Sequence, residues 1–321
     1  MSFDSTVSTM GDARSAFREA EKQYALRKVR VRRRWEVADV DLTDVVDARE
    51  LPCDACGTAS IQGHPGLLLL PRALRASEQA TLARMALEHV PGGARRTNLG
   101  PKHGCVRGMW EASRHGHRLV KTEGRARWTP SRDHDGESVD EQCPKASALL
   151  QKLRWTSLGA AYDWSTRSYD PDGPALPQEL VRSCTSLVRQ CNVDGEEFVA
   201  EAALVNFYRP GDVLCGHVDD AEADLEQPLV SISLGCTAVF LMGGRTREVA
   251  PTPILLRSGD VVILMGDARK CYHGLPRVFG KETQDPKLSP ALRSKEVDEE
   301  FQEVAEYLQD CRINISARKV W

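Results

Sequence analysis

Two histidines and one aspartate carry the strongest chemical signal in this sequence. In GHVDD, His217 and Asp219 stand two residues apart, a spacing that points both side chains to one face of a β-strand. His273, in CYHGLP, comes after enough further chain for the intervening strands to return. Two imidazoles and one carboxylate can hold Fe(II) on one side and leave the remaining coordination positions open. Taken alone, H-x-D is a short pattern that an exposed pair at a loop edge would also produce.

The neighbouring residues add weight. NFYRPGD ends an expected strand just before the pair and places Asn206 and Tyr208 where they can donate into the same pocket. RINISAR, near the end of the chain, carries Arg312, Asn314, Ser316 and Arg318 at strict alternation, so on a strand all four share a face. Two arginines and an asparagine on one face of an apolar β-region call for an anion as partner. The other face holds Ile313, Ile315 and Ala317. Alternation leaves open whether the polar face turns inward or out to water.

The elements that would position these groups follow from patterning. From residue 200 on, AALVNFY, PLVSISLG, CTAVFLM, TPILLRSGDVVILMG and RINISAR are short β-rich runs broken by Gly, Pro and Asp, as in a sandwich or jelly roll. VDEEFQEVAEYLQDC (297–311) interrupts them as a helix. Earlier in the chain, GDARSAFREAEKQYALRK puts Ala13, Phe17, Ala20 and Tyr24 on one helical stripe. GLLLLP (66–71) predicts a buried strand. SEQATLARMALEHVPGG (77–93) predicts a helix capped by Ser77 and stopped by Pro91, Gly92 and Gly93. PQELVRSCTSLVRQC (177–191) gathers Leu180, Val181, Cys184, Leu187, Val188 and Cys191 on one face. Residues 49–66 look like a linker. Residues 94–146 are polar, without clear period, and predict a long loop or a functional lid.

Composition bounds the rest. Of 321 residues, 41% are hydrophobic and 28% charged, which is globular usage and excludes disorder throughout. No apolar run reaches the roughly 18 residues of a membrane-spanning helix, so no membrane partner is expected. With a net charge of −3, affinity for nucleic acid would have to come from a local patch. Arg27 to Trp35 is such a run, with six basic residues in nine; it reads equally as a solvated helix end, a phosphate-contacting arm or an import signal. The N-terminus shows no apolar export segment and no arginine in its first twelve residues, which predicts an intracellular protein, cytoplasmic or nuclear rather than mitochondrial. The ten cysteines are then expected as thiols. Cys53 and Cys56 form a C-x-x-C, at most half of a zinc site; Cys105 and Cys143 do not complete it by spacing.

Together these pieces resemble the AlkB-type Fe(II)- and 2-oxoglutarate-dependent dioxygenases. The resemblance rests on Asn206 and Tyr208 in N-x-Y, on His217 and Asp219 in H-x-D, on the distal His273, and on R-x-N-x-S-x-R from Arg312 to Arg318. HVDDAE, PLVSISLG, AVFLMGG and HGLPRV are similar to the eukaryotic homologue-one type, and LRWTSLGAAYDW extends the likeness more faintly. The resemblance implies an α+β chain built on a double-stranded β-helix, or jelly roll, with flanking helices and a nucleotide-recognition lid. It divides the chain into an N-terminal helix and basic arm (1–48), a helical and lid region (49–199) and the dioxygenase core (200–321).

By the same resemblance, His217, Asp219 and His273 would bind Fe(II), with no catalytic residue beyond these ligands. Arg312, helped by Asn206, Tyr208 and Asn314, would hold the distal carboxylate of 2-oxoglutarate. Arg318 would line that pocket, and O2 would be the other co-substrate. The implied activity is oxidative demethylation of N-methylated nucleobases, with N1-methyladenosine in tRNA as first expectation and unpaired DNA as the other polymer. Alternatives are a demethylase of N6-methyladenine or alkylated bases in DNA, a methylcytosine oxidase in tRNA, a protein hydroxylase, and a silent nucleic-acid-binding jelly roll. Tyr162, Trp164 and Tyr169 are candidate base-stacking residues. Where bacterial repair members carry a second aspartate two residues after the ligand aspartate, this chain has Ala221, flanked by Asp220 and Glu222. A monomer is expected.

Overall fold

The computed structural model describes residues 15–31, 34–90, 96–122, 125–131, 140–163, 166, 168–170, 172–191, 198–280, 283, 285–288 and 297–321. In chain order, helix α1 (Ala16–Tyr24) leads to a hairpin of β1 (Lys28–Val31) and β2 (Arg34–Val37). Strands β3 (Val46–Asp47), β4 (Ala59–Ser60) and β5 (Leu67–Leu70) precede α2 (Ala76–Glu88). Short helices α3 (Gly100–His103) and α4 (Met109–Arg114), the hairpin β6 (Arg118–Thr122) and β7 (Arg125–Thr129), and α5 (Ala146–Leu150) come next. Then follow β8 (Trp155–Gly159), the hairpin β9 (Ala161–Asp163) and β10 (Ser168–Asp170), and α6 (Gln178–Gln190). The remaining strands are β11 (Ala202–Tyr208), β12 (Leu214–His217), β13 (Leu229–Gly235), β14 (Ala238–Met242), β15 (Thr252–Leu256), β16 (Val261–Leu264) and β17 (His273–Val278). Helix α7 (Gln302–Leu308) precedes the last strand, β18 (Arg312–Arg318).

Two antiparallel-dominated sheets form the core. The larger has the order β4-β5-β16-β13-β18-β11-β8, the smaller β12-β17-β14-β15-β3. Leu67, Leu69, Leu229, Val262 and Leu264 from the larger pack with Met242, Ile254 and Leu256 from the smaller, so the sheets lie face to face. On the opposite face of the larger sheet, Val205, Phe207, Ile313, Ile315 and Ala317 meet residues of α2, α4, α5, α6 and α7. A fully buried Val, Leu, Ile or Phe contributes about 1.5–3 kcal/mol, which commits the helix-facing side of β18 and β13 to the core.

The sequence patterns map onto this with specific differences. Leu67–Leu70 is the buried strand expected from GLLLLP. In α6, Leu180, Cys184, Leu187 and Val188 are buried along one stripe. Helix α2 begins earlier than Ser77 suggests: Arg75 is the cap, and its backbone N–H donates to the Glu78 carboxylate at 2.8 Å. Its expected stop, Pro91 to Gly93, lies outside the described residues. Helix α1 ends at Tyr24, so the basic run is not a helix end; Lys28–Val31 pairs with Arg34–Val37 as a hairpin. Within 94–146, the expected long loop is instead broken up by α3, α4 and the β6–β7 hairpin. The 49–66 segment is also not a plain linker, because Ala59–Ser60 pairs with β5. Strands β4, β5 and β8, all before residue 200, belong to the larger sheet. Among the described residues, no helix is long and apolar enough to cross a membrane.

Candidate metal centre and co-substrate pocket

His217 ends β12 and His273 begins β17, and the two are direct partners in the antiparallel pairing of those strands. Asp219 follows two residues beyond His217. His217 Nε2 lies 3.9 Å from one Asp219 oxygen and His273 Nε2 lies 3.8 Å from the other. Ligand atoms of all three sit within 4.8 Å of one another, and this is the one group of three or more potential metal ligands found among the described residues. Cys53 and Cys56 therefore belong to no such group.

The outer nitrogens are held as a metal site requires. His217 Nδ1 lies 3.0 Å from the Cys215 carbonyl oxygen, and His273 Nδ1 lies 3.3 Å from that of Cys271. Donation from each Nδ1–H would leave both Nε2 lone pairs free for an ion. Burial pushes the His273 imidazole down to about 4, with His217 beside it acting in the same direction. It is therefore neutral near pH 7. Burial alone would raise the Asp219 carboxyl, yet Arg318 and the two imidazoles outweigh it and hold the group well below the usual carboxylate range. The donor set fits a divalent ion such as Fe(II).

β18 runs between β13 and β11 and settles the direction left open by its alternation. Ile313, Ile315 and Ala317 face the helices, while Arg312, Asn314, Ser316 and Arg318 face the interior between the sheets. Cross-strand partners share that inner face: Tyr208 stands opposite Arg312, and Asn206 opposite Asn314. On the other side, Ser233 is the partner of Asn314 and Ser231 of Ser316. Asn314 donates to the Ser231 hydroxyl at 2.8 Å and the Ile232 carbonyl at 3.1 Å.

The two arginines on this face have different surroundings. Arg312 is 1% exposed. It donates Nη2 to the Ser233 hydroxyl at 2.8 Å, while its Nε and Nη1 have no hydrogen-bond partner among the described residues. Burial pushes it down to about 10. A buried guanidinium with two unengaged donors is costly unless an anion joins it, and its fork matches a carboxylate. The residues present thus fit a dicarboxylate co-substrate. Arg318, in contrast, is well paired: Nη1 donates to Glu222 at 2.9 Å and Nη2 to Ser316 at 2.7 Å, with Asp219 3.6 Å away. Burial would lower it, but Asp219, Tyr169 and Glu222 together raise it.

Three residues here were not read from the sequence as site residues. Glu222 is wholly buried and also takes a hydrogen bond from Arg269 at 2.8 Å. Arg269 Nη1 reaches the Asp219 carbonyl at 3.3 Å. Glu21 on α1 accepts from the Gly216 backbone N–H at 2.6 Å. The adjacency of Glu222 to H-x-D was a usable signal; Arg269, in a short 3₁₀ turn, had none. Of the expected stacking residues, Tyr169 pairs with Tyr162 across the β9–β10 hairpin, their ring centroids 5.1 Å apart. The Tyr169 hydroxyl donates to Glu222 at 2.6 Å. Trp164 lies outside the described residues.

Residues 104–318 match the family described as the 2OG-Fe(II) oxygenase superfamily. The chain is 35% identical to the DNA N(6)-methyladenine demethylase ALKBH1A of Arabidopsis thaliana, across 96% of both chains. It is 31% identical to the tRNA demethylase abh1 of Schizosaccharomyces pombe, across 84% of this chain and 87% of that one. The solved structure of OsALKBH1 has a like fold, with a TM-score of 0.50 at 21% identity over 82% of this chain and 99% of that one.

Proposed function

Since this chain belongs to the 2OG-Fe(II) oxygenase superfamily, in its AlkB-type homologue-one branch, we propose that it oxidatively demethylates N-methylated nucleobases in nucleic acid. One observation carries the reading: the His217–Asp219–His273 cluster and the half-engaged Arg312 guanidinium belong to the same two-sheet interior. In this reading the cluster holds Fe(II). Arg312 grips the far carboxylate of 2-oxoglutarate, with Tyr208, Asn206 and Asn314 lining the pocket, and Arg318 keeps Asp219 oriented. When bound, iron, 2-oxoglutarate and O2 would supply oxidation of the N-methyl carbon, after which the hydroxymethyl amine releases formaldehyde and the free base.

The chain's own residues bind, orient and exclude water. A base must leave its stack to reach a centre enclosed between two sheets, so unpaired or single-stranded targets are favoured. The β9–β10 hairpin is assigned to the nucleotide-recognition lid, because Tyr169 touches the network behind Asp219. Tyr162, whose ring packs against that of Tyr169, is kept with it as a stacking candidate. N1-methyladenosine in tRNA is the preferred substrate in this proposal; the S. pombe relative is named a tRNA demethylase, which supports the polymer. N6-methyladenine in DNA is the second reading, favoured by the name of the Arabidopsis relative.

Purified protein incubated with total tRNA and, separately, with genomic DNA tests this by mass spectrometry of the digested nucleosides. Loss of N1-methyladenosine from tRNA, absent in an Asp219→Ala control, is the expected result. Loss of N6-methyladenine from DNA alone would move the assignment to DNA. Unchanged methylation in both polymers, with succinate still formed on addition of a peptide extract, would replace it with a protein hydroxylase.

A further inference from the structure

Strand β12 reaches the candidate ligand His217 through an irregularity. Leu214 pairs with Leu275 and His217 with His273, so Cys215 and Gly216 stand against the single residue Gly274. The extra residue is a β-bulge, which re-aims the side chains beyond it and leaves backbone groups outside the ladder. Both groups of Gly216 are answered from elsewhere. Its N–H donates to Glu21 at 2.6 Å, and its carbonyl accepts from Arg247 at 2.9 Å. Glu21 belongs to α1 and lies 195 residues away in sequence; it is 5% exposed and is paired with Arg18 at 2.7 Å.

The same helix seals the back of both ligand-bearing strands. Phe17 is fully buried. A Cβ placed on Gly216 would lie 2.5 Å from its ring, and one on Gly243 2.8 Å from it. The backbone N–H of Phe17 donates to the Arg247 carbonyl at 3.0 Å, and the Arg247 guanidinium lies 5.0 Å from the Tyr272 ring centroid. Tyr272 precedes His273 and is tied through its backbone to Gly243 and Gly244, each at 2.8 Å. Glycine at 216 and 243 is what lets the helix come this close.

We infer that α1 is a positioning element for the metal centre: Glu21 fixes the Gly216 bulge that aims His217, and Phe17 wedges the strands of His217 and His273 into register. This rests on the proposed ligand roles of those two histidines. Glu21 touches no reacting atom and acts only through the backbone of Gly216. A carboxylate is suited to the task because a charged acceptor makes a stronger, shorter bond to an N–H than a neutral one.

Co(II) is a redox-stable probe whose visible spectrum reports ligand geometry, and the full chain can be titrated with it without turnover. Glu21→Leu should weaken Co(II) binding about tenfold, the loss of one charge-assisted hydrogen bond, and shift the visible bands. Glu21→Gln, which keeps an oxygen acceptor, should stay within about threefold of wild type. Asp47→Asn, on the remote β3 edge, should lower the melting temperature while leaving the Co(II) titration and spectrum unchanged. A Glu21→Leu protein with wild-type affinity and spectrum would overturn the inference, as would Asp47→Asn weakening Co(II) equally. Should Glu21→Leu not fold, Arg247→Gln loosens the same glycine from its carbonyl side, and wild-type Co(II) binding there would overturn it. His217→Ala tests the underlying ligand role separately: unaltered Co(II) binding in that variant would defeat the ligand assignment rather than the role of α1.

Discussion

Arg318 and Glu222 form a buried ion pair at 2.9 Å directly behind Asp219, their side chains 7% and 0% exposed. Arg269 closes on the other Glu222 oxygen at 2.8 Å, so one carboxylate bridges two guanidinium groups, and Asp219, 3.6 Å from Arg318, supplies the second negative charge. Burial would raise that carboxyl, and the two arginines with the Tyr169 hydroxyl hold it low. Removing the acid takes the carboxylate from Arg269 and leaves Arg318 with Asp219 alone at 3.6 Å; breaking a buried pair typically costs about 3–5 kcal/mol. Glu222→Leu should therefore lower the unfolding free energy of the metal-free protein by that order in urea titrations, and Glu222→Gln by less. Equal stability of Glu222→Leu and wild type would mean that the arginines find other partners.

The N-terminal segment is tied to the smaller sheet by a different pair. Asp47 receives both terminal nitrogens of Arg257 at 2.6 Å each. Burial acts to raise the Asp47 carboxyl, but the hydrogen bonds and charge of Arg257 prevail and hold it below the usual range. A carboxyl depressed in the folded state adds stability above the unfolded value of about 4, and that stability is lost as pH falls through the folded value. Asp47→Asn should thus cost about 1–3 kcal/mol at pH 7, and the gap should close below about pH 4. A gap of the same size at pH 5 and pH 2.5 would assign the effect to packing instead of charge.

How much was legible beforehand differs by region for physical reasons. His217, Asp219 and His273 could be grouped by residue type and the H-x-D spacing, although the expected shared strand is not found: β12 ends at His217 and Asp219 lies just beyond it. Strand alternation gave Arg312, Asn314 and Arg318 a common face but not its direction. Ile313 and Ile315 are as buried as Arg312, because helices cover the outside of that sheet. Glu21 was hidden, since only the fold brings α1 to Gly216, and no local pattern encodes a contact across 195 residues. The segment from 94 to 146 was opaque because its helices have four and six residues, too short to show a 3.6-residue period. Ser77 misled as a cap because Glu78, the true partner, reaches back to Arg75.

The basic run from Arg27 to Arg34 should add affinity without chemistry. Arg32 and Arg33 lie outside the described residues, and the flanking segments form the β1–β2 hairpin. Contacts to phosphate are largely independent of sequence and weaken as salt rises. Replacing these basic residues with glutamine should raise KM for full-length tRNA and flatten its salt dependence. Turnover of a short methylated oligonucleotide should change little. An unaltered salt slope would leave the run as a localisation signal or a solvated surface.

Arg312 separates a co-substrate pocket from a bare metal site. Its Nη2 is occupied by Ser233, whereas Nε and Nη1 have no partner among the described residues. Both carboxylate-gripping edges of a guanidinium, Nε with Nη2 and Nη1 with Nη2, include Nη2, so a carboxylate bound to Arg312 would share Nη2 with Ser233 and engage Nε or Nη1 beside it. Each such charge-assisted bond is worth about 1.5–3 kcal/mol. Arg312→Ala should therefore raise the 2-oxoglutarate requirement at least about tenfold, counting only one bond as lost, with metal binding nearly intact. Arg312→Lys keeps the charge and loses the fork, so it should recover only part of the affinity. Arg318→Ala should act differently, because that guanidinium is already engaged by Glu222 and Ser316: its larger effect should fall on folding stability and on Asp219. Titrating 2-oxoglutarate against succinate release for all three variants, alongside Co(II) binding, distinguishes these outcomes. Unchanged 2-oxoglutarate affinity in Arg312→Ala would remove the co-substrate assignment and leave the two free donors of a buried arginine without a purpose.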